Sequence, residues 1–188
     1  MKMKLLLFVG VIAVGAVATI GTSTAGVQRC LGSAPDHNLT GGDDDLDLSG
    51  ETEPQVVTAG SGDDSITGGS GADKICVAEG TDEVYGGGGR DKILGNSGRD
   101  YLNGEGGADR VEGGGGRDGG QTTRREDEPF TAGIVGGGGN DELYGGNGDD
   151  SISGETGRDT IRGNPGLDQC DGGGQARDDV RCELDLDL

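Results

Sequence analysis

Tryptophan is absent, and three tyrosines and two phenylalanines are the only aromatic residues among 188. A core built on large rings is therefore not available. A single histidine, His37, leaves no pair of imidazoles for a histidine-based metal site, and no HExxH, serine elbow or P-loop lysine occurs. Basic residues are scarce: 15 Lys and Arg stand against 35 Asp and Glu, a formal net charge of −20. That makes nucleic acid a poor partner. Neighbouring aspartates could imitate an acid and base couple, but they recur all along the chain, as a catalytic site does not. No enzyme is expected.

Aliphatic residues are few as well. Beyond residue 25, Val, Ile, Leu and Phe number 26 of 163 residues, about 16% and below the level at which a highly charged chain usually folds. The one long apolar run, Leu5 to Ile20, has sixteen residues, short of the roughly 20 that span a bilayer. With Lys2 and Lys4 before it and Ser23-Thr24-Ala25 after it, residues 1–25 read as a cleaved secretory signal peptide. What remains has no membrane span and carries 13 basic against 35 acidic residues, a net charge of −22. Such a chain needs a source of stability other than a large core, or it stays a disordered acidic polymer that buffers cations.

Glycine is abundant, at 44 residues, and it is periodic. Rows of nine starting at Ala59 read AGSGDDSIT, GGSGADKIC, VAEGTDEVY, GGGGRDKIL, GNSGRDYLN, GEGGADRVE and GGGGRDGGQ. Each has Gly fourth and Asp sixth, and all but the last have Ile, Val or Leu eighth. The frame breaks at TTRREDEPFTAGIV and resumes from Gly136 as GGGGNDELY, GGNGDDSIS, GETGRDTIR and GNPGLDQCD. Upstream, GGDDDLDLS from Gly41 and GETEPQVVT from Gly50 keep Leu48 and Val57 eighth but lack Asp sixth, as an end cap would. A degenerate GGQARDDVR from Gly173 closes the series if Gly172 is an inserted residue. One apolar residue flanked by polar ones predicts a three-residue strand with a single side chain inward. Glycines before a short carboxylate suit a tight loop with open carbonyls, and carboxylates mixed with carbonyls are the ligands that calcium takes.

The pattern GGxGxDxUx, with U apolar, resembles the calcium-binding nonapeptide of the repeats-in-toxin (RTX) family. The resemblance implies an all-β fold, a right-handed parallel β-roll solenoid with two nine-residue rows per turn. Calcium would lie between loops of successive turns, shared by row n and row n+2. Carried onto this chain, Asp64 faces Asp82, Asp73 faces Asp91, Asp82 faces Asp100, Asp91 faces Asp109 and Asp100 faces Asp118. In the second block Asp141 faces Asp159 and Asp150 faces Asp168. That is about seven ions. Backbone carbonyls would come from Gly60, Gly62, Gly69, Gly71, Gly87, Gly89, Gly137, Gly139, Gly146 and Gly148.

The expected division is a signal peptide at 1–25, an N-terminal cap at 26–58, repeat blocks at 59–121 and 136–171, a loop insertion at 122–135, and a C-terminal cap and tail at 172–188. Four cysteines in an exported chain suggest two disulfides, with three connectivities open. Cys170 with Cys182 would close a short loop at one end and Cys30 with Cys76 would tie down the other, stapling ends that solenoids need protected. Asp43, Asp45 and Asp47 resemble the start of an EF-hand, but Leu48 and Pro54 stand where Gly and Glu are required. The expected function is a secreted calcium-binding module, structural or adhesive, whose partners besides calcium are cell-surface or matrix components. An accessory module of a secreted enzyme or toxin system is the alternative.

Overall fold

A computed structural model describes residues 30–118, 133–174 and 178–182. The expected signal peptide, most of the insertion and the tail at 183–188 lie outside the described residues. The rest is all β, and every strand pair among the described residues is parallel. Two sheets face each other. One runs His37–Asn38, Val56–Thr58, Lys74–Cys76, Lys92–Gly98, Arg110–Gly116, Glu142–Asn147, Thr160–Arg162, Asp179–Arg181; the other runs Asp45–Asp47, Ser65–Thr67, Glu83–Tyr85, Tyr101–Asn103, Ile134–Gly139, Ser151–Gly157, Gln169–Asp171. Successive rows alternate between them, so two rows make one turn of a solenoid of about seven turns.

The inward eighth residue of each row builds most of the core, with Leu48, Ala59 and Val77 beside it at the N-terminal end. Val57, Ile75, Ile93, Val111, Leu143 and Ile161 stack in register on the first sheet, and Leu46, Ile66, Val84, Leu102, Ile134 and Ile152 on the second. All twelve are buried. Most flanking seventh and ninth residues are solvent-facing, as the alternation of a strand requires, while Thr58, Cys76, Val135 and Ser151 are buried.

Two row assignments differ from the count of nine. The expected insertion at 122–135 ends earlier: Ile134 is fully buried and pairs with Leu102 on one side and Ile152 on the other. The segment outside the described residues, 119–132, therefore interrupts row 113 between its sixth and seventh positions, and Ile134 supplies the apolar eighth residue that Gly120 does not. The solenoid is one continuous coil across the break. Near the other end Leu46, not Leu48, pairs with Ile66, so the row that holds it is residues 39–47, two residues earlier than the regular frame. A short turn closed by Glu51 N–H donating to Leu48 C=O at 2.8 Å absorbs the two extra residues.

Both ends are stapled as expected. Cys30 is bonded to Cys76, with Cα atoms 5.6 Å apart, and Cys170 to Cys182, at 6.1 Å. Cys170 pairs with Ile152 and so takes the core position of the last row on its sheet. Cys182 packs with it against the core. The disulfide thus sits where the next apolar residue would have been.

Candidate functional site

The loops between strands line up along the two edges of the coil, and the sixth residue of every loop is placed identically. Asp44, Asp64, Asp82, Asp100, Asp118, Asp150 and Asp168 form one column; Asp73, Asp91, Asp109, Asp141, Asp159 and Asp178 form the other. In each column the backbone N–H of one aspartate donates to Oδ1 of the aspartate one turn later. The bond is 2.9 Å from Asp64 to Asp82, 2.8 Å from Asp73 to Asp91 and 2.9 Å from Asp91 to Asp109. Eleven such links occur: the seven anticipated pairings, two that bridge the insertion, Asp109 to Asp141 and Asp118 to Asp150, and two at the ends, Asp44 to Asp64 and Asp159 to Asp178.

The second carboxylate oxygen has a different fate. In Asp64, Asp82, Asp91, Asp100, Asp109, Asp118, Asp141, Asp150, Asp159 and Asp168, Oδ2 is buried without a hydrogen-bond partner. Burying an anionic oxygen unpaired is costly, and the protonation equilibria respond. Loss of water, first, and the carboxylates above and below, after it, push Asp64 and Asp141 up to about 6 and Asp91, Asp100 and Asp150 up to about 7. Burial likewise raises Asp82, Asp109, Asp118, Asp159 and Asp168.

Glycine shapes the space around these oxygens. A Cβ at Gly86, Gly95, Gly104 or Gly136, the first residues of their rows, would lie 2.6–2.8 Å from Oδ2 of the aspartate five residues on. The fourth glycines stack turn upon turn with φ between +120° and +157° in Gly62, Gly80, Gly89, Gly98, Gly107, Gly116, Gly139, Gly148 and Gly157. A Cβ at Gly98 would collide with the carbonyl of Gly80, and one at Gly139 with that of Gly107. Of the anticipated carbonyl donors, Gly60, Gly62, Gly71, Gly89, Gly139, Gly146 and Gly148 lie in these loops. Gly69, Gly87 and Gly137 do too, and their oxygens already accept hydrogen bonds from Gly88 N–H, Gly106 N–H and the Thr156 hydroxyl. Row 77–85 lacks the first two glycines, yet Asp82 stands in its column and Val77 turns into the core.

Among the described residues no three His, Cys, Asp or Glu side chains converge as a metal cage. The donor set is instead two carboxylates from successive turns with loop carbonyls beside them, all oxygen, which suits a hard cation of flexible geometry such as calcium better than magnesium. Asp43, Asp45 and Asp47 do not converge: Asp45 and Asp47 point outward from their strand, and Asp43 Oδ1 accepts the Asp63 N–H at 3.0 Å. His37 lies at the N-terminal end, 3.2 Å from Gln55 Oε1.

A family model for the RTX calcium-binding nonapeptide repeat matches four times, over residues 49–84, 85–119, 134–161 and 144–176. The chain belongs to this family. No curated protein and no solved structure matches it. The RTX repeat is a structural calcium-binding unit, and calcium is the partner the family implies. Two column residues lie outside what the count of nine selects or what the matches cover. Asp44 is the sixth residue of row 39–47, visible in LTGGDDDLD only once the frame is moved back by two. Asp178 is the sixth residue of the degenerate last row.

Proposed function

We propose that this RTX chain is an exported, calcium-dependent structural module whose repeat turns coil when calcium enters the aspartate columns. The two columns of buried, partnerless Oδ2 atoms carry this reading. Like charges stacked at the strand spacing of about 4.8 Å repel, and ten orphaned anionic oxygens in a coil with about one core residue per row favour unfolding unless a cation meets them. Calcium supplies the positive charge and takes oxygen ligands at the free positions. Each interior aspartate would serve two ions, one above and one below, so occupancy along a column is coupled. Eleven interturn pairs set the upper count, above the seven that the regular rows suggest. Two disulfides support an oxidising location outside the cytoplasm, where calcium in the range of about 10⁻⁴ to 10⁻³ M serves as the trigger.

Calorimetric calcium titration, read together with far-ultraviolet circular dichroism, tests the proposal. Uptake approaching eleven ions, with β signal appearing over the same range, is expected. Saturation at one ion, or a spectrum unchanged to millimolar calcium, would refute it. The variant Asp91→Asn, which touches two pairs, should lower the stoichiometry more than Asp44→Asn, which touches one.

A further inference from the structure

The outer faces of the two sheets carry opposite charge. From Val56–Thr58 to Asp179–Arg181, the solvent-facing positions of the first sheet hold five cations, Lys74, Lys92, Arg110, Arg162 and Arg181, against Glu79, Glu112, Glu142 and Asp179. Those of the second sheet hold Asp45, Asp47, Glu83 and Asp171 and no cation. Lys74, Lys92 and Arg110 are directly in register on three adjacent strands, an arrangement of like charges that a sheet disfavours. Glu142 at 2.8 Å and Glu112 at 3.6 Å offset Arg110, and Lys74 donates to the Ser33 hydroxyl. Lys92 is exposed and makes no ion pair among the described residues. In the same two turns the opposite face presents Glu83, Tyr85 and Tyr101, the rings 5.6 Å apart and the Tyr85 hydroxyl 2.6 Å from Glu83.

We infer that the calcium-loaded roll binds a second copy of itself, the first-sheet face of one molecule on the second-sheet face of the next, with Lys92 and Arg110 meeting Glu83, Tyr85 and Tyr101. The inference rests on the calcium reading. Without the ion, the net charge of −22 on the chain beyond residue 25 keeps copies apart. Eleven divalent ions would carry about +22, leaving a nearly neutral particle whose two flat faces are oppositely charged. Opposite faces on one molecule give a heterologous contact, which does not close on itself and builds rows of molecules. Carboxylate beside tyrosine is a surface on which Lys or Arg gains both ion pairing and cation–π attraction.

Sedimentation velocity across a concentration series, with and without calcium, tests this on the full exported chain. Larger species should appear only with calcium and recede at high salt. Lys92→Glu and Glu83→Lys should each weaken association about tenfold or more, since like charges then face each other. The double variant, in which both faces are exchanged, should restore it. Circular dichroism in calcium verifies that each variant coils. Calcium uptake with a strictly monomeric chain, or association that neither single variant weakens, overturns the inference and leaves the calcium reading standing. Absence of calcium uptake overturns that reading, and any association then seen without calcium dependence overturns this one as well.

Discussion

In the first turns of the coil, Asp44 Oδ2 accepts hydrogen bonds from the Thr40 N–H and hydroxyl, both 2.8 Å, and Asp73 Oδ2 accepts one from the Gly69 N–H at 2.9 Å. From Asp82 to Asp168 the same oxygen has no partner in any row. The residues that begin the two columns are thus satisfied by the chain itself, and those that follow are not. Residues 30–76 also contain the Cys30–Cys76 bond and the turn at Leu48 to Glu51. Two regions with the same strands and the same core stack therefore differ in what completes them: side chains, backbone and a disulfide at the N-terminal end, where Asp64 is the one column residue whose Oδ2 lacks a partner, and, on the function proposed above, a cation in the repeats. If the later turns depend on the ion as proposed, such an end gives them a surface on which to add, which lowers the cost of forming a first turn with distant partners.

Calcium removal should break the comparison open most widely. With a chelator present, amides from about residue 83 to 161 should exchange at unfolded rates, while those of Val56–Thr58 and Lys74–Cys76 keep measurable protection. Hydrogen exchange followed by mass spectrometry resolves the two regions. Uniform loss of protection along the chain would show that the N-terminal turns need the ion as much as the others do.

Next in size are the disulfides. Cys30 and Cys76 are 46 residues apart, worth about 4 kcal/mol on the chain-entropy model, and Cys170 and Cys182 are 12 apart, worth about 3. Replacing the first pair by serine should erase the protection that survives calcium removal. Replacing the second should leave that protection intact and lower only the denaturation midpoint of the calcium-loaded coil.

Acidity should narrow the difference between the regions. A carboxylate whose folded pKa lies above its unfolded value adds stability that is full below the unfolded value and lost as pH rises through the folded one. Asp91, Asp100 and Asp150, pushed up to about 7, and Asp64 and Asp141, pushed up to about 6, place that loss roughly between pH 4 and 7. Metal-free chain should therefore gain β signal as pH falls from about 8 to about 5, and the calcium midpoint should rise over the same interval because protons compete for the same oxygens. Circular dichroism in chelator at the two pH values checks the first, and titration the second.

Much of this was legible from spacing. The period of nine selects the inward residue and the column aspartate, because a solenoid repeats its contacts in sequence as it does in space. The cysteine pairs followed from the nearness of each to one end of the rows. Register was lost wherever residues were added. In GGDDDLDLS both Leu46 and Leu48 are buried, so alternation alone does not say which belongs to the stack, and three consecutive aspartates hide which one enters the column. At the insertion, Gly119, Gly120 and Gln121 fill out the count of nine, and only the missing apolar residue marks that the row continues at Ile134. The state of Oδ2 was not legible at all, since it depends on loop carbonyls and amides brought together by the coil.

The smallest effect concerns the second position of each row, and it separates the two regions once more. From Gly87 onward this residue is left-handed, with φ near +96° at Gly137 and +115° at Gly146, and it remains so where a side chain is present, at +66° in Asn96 and Glu105 and +63° in Glu155. Glutamate pays a steric penalty there of about 1 kcal/mol. Asparagine is better suited to that conformation. In the earlier rows the second positions, Thr40, Glu51, Gly60, Gly69 and Ala78, are not left-handed. Glu105→Gly should therefore stabilise the calcium-loaded coil by up to about 1 kcal/mol, partly offset by the extra freedom of glycine in the unfolded chain. Glu105 also lies near Asp91, whose charge it opposes, so removing it acts in the same direction. Thr40→Gly should do the reverse, since it relieves no strain and deletes the hydroxyl that caps Asp44. Urea denaturation in saturating calcium measures both, and a gain at Thr40 or a loss at Glu105 would place the strain in the wrong region.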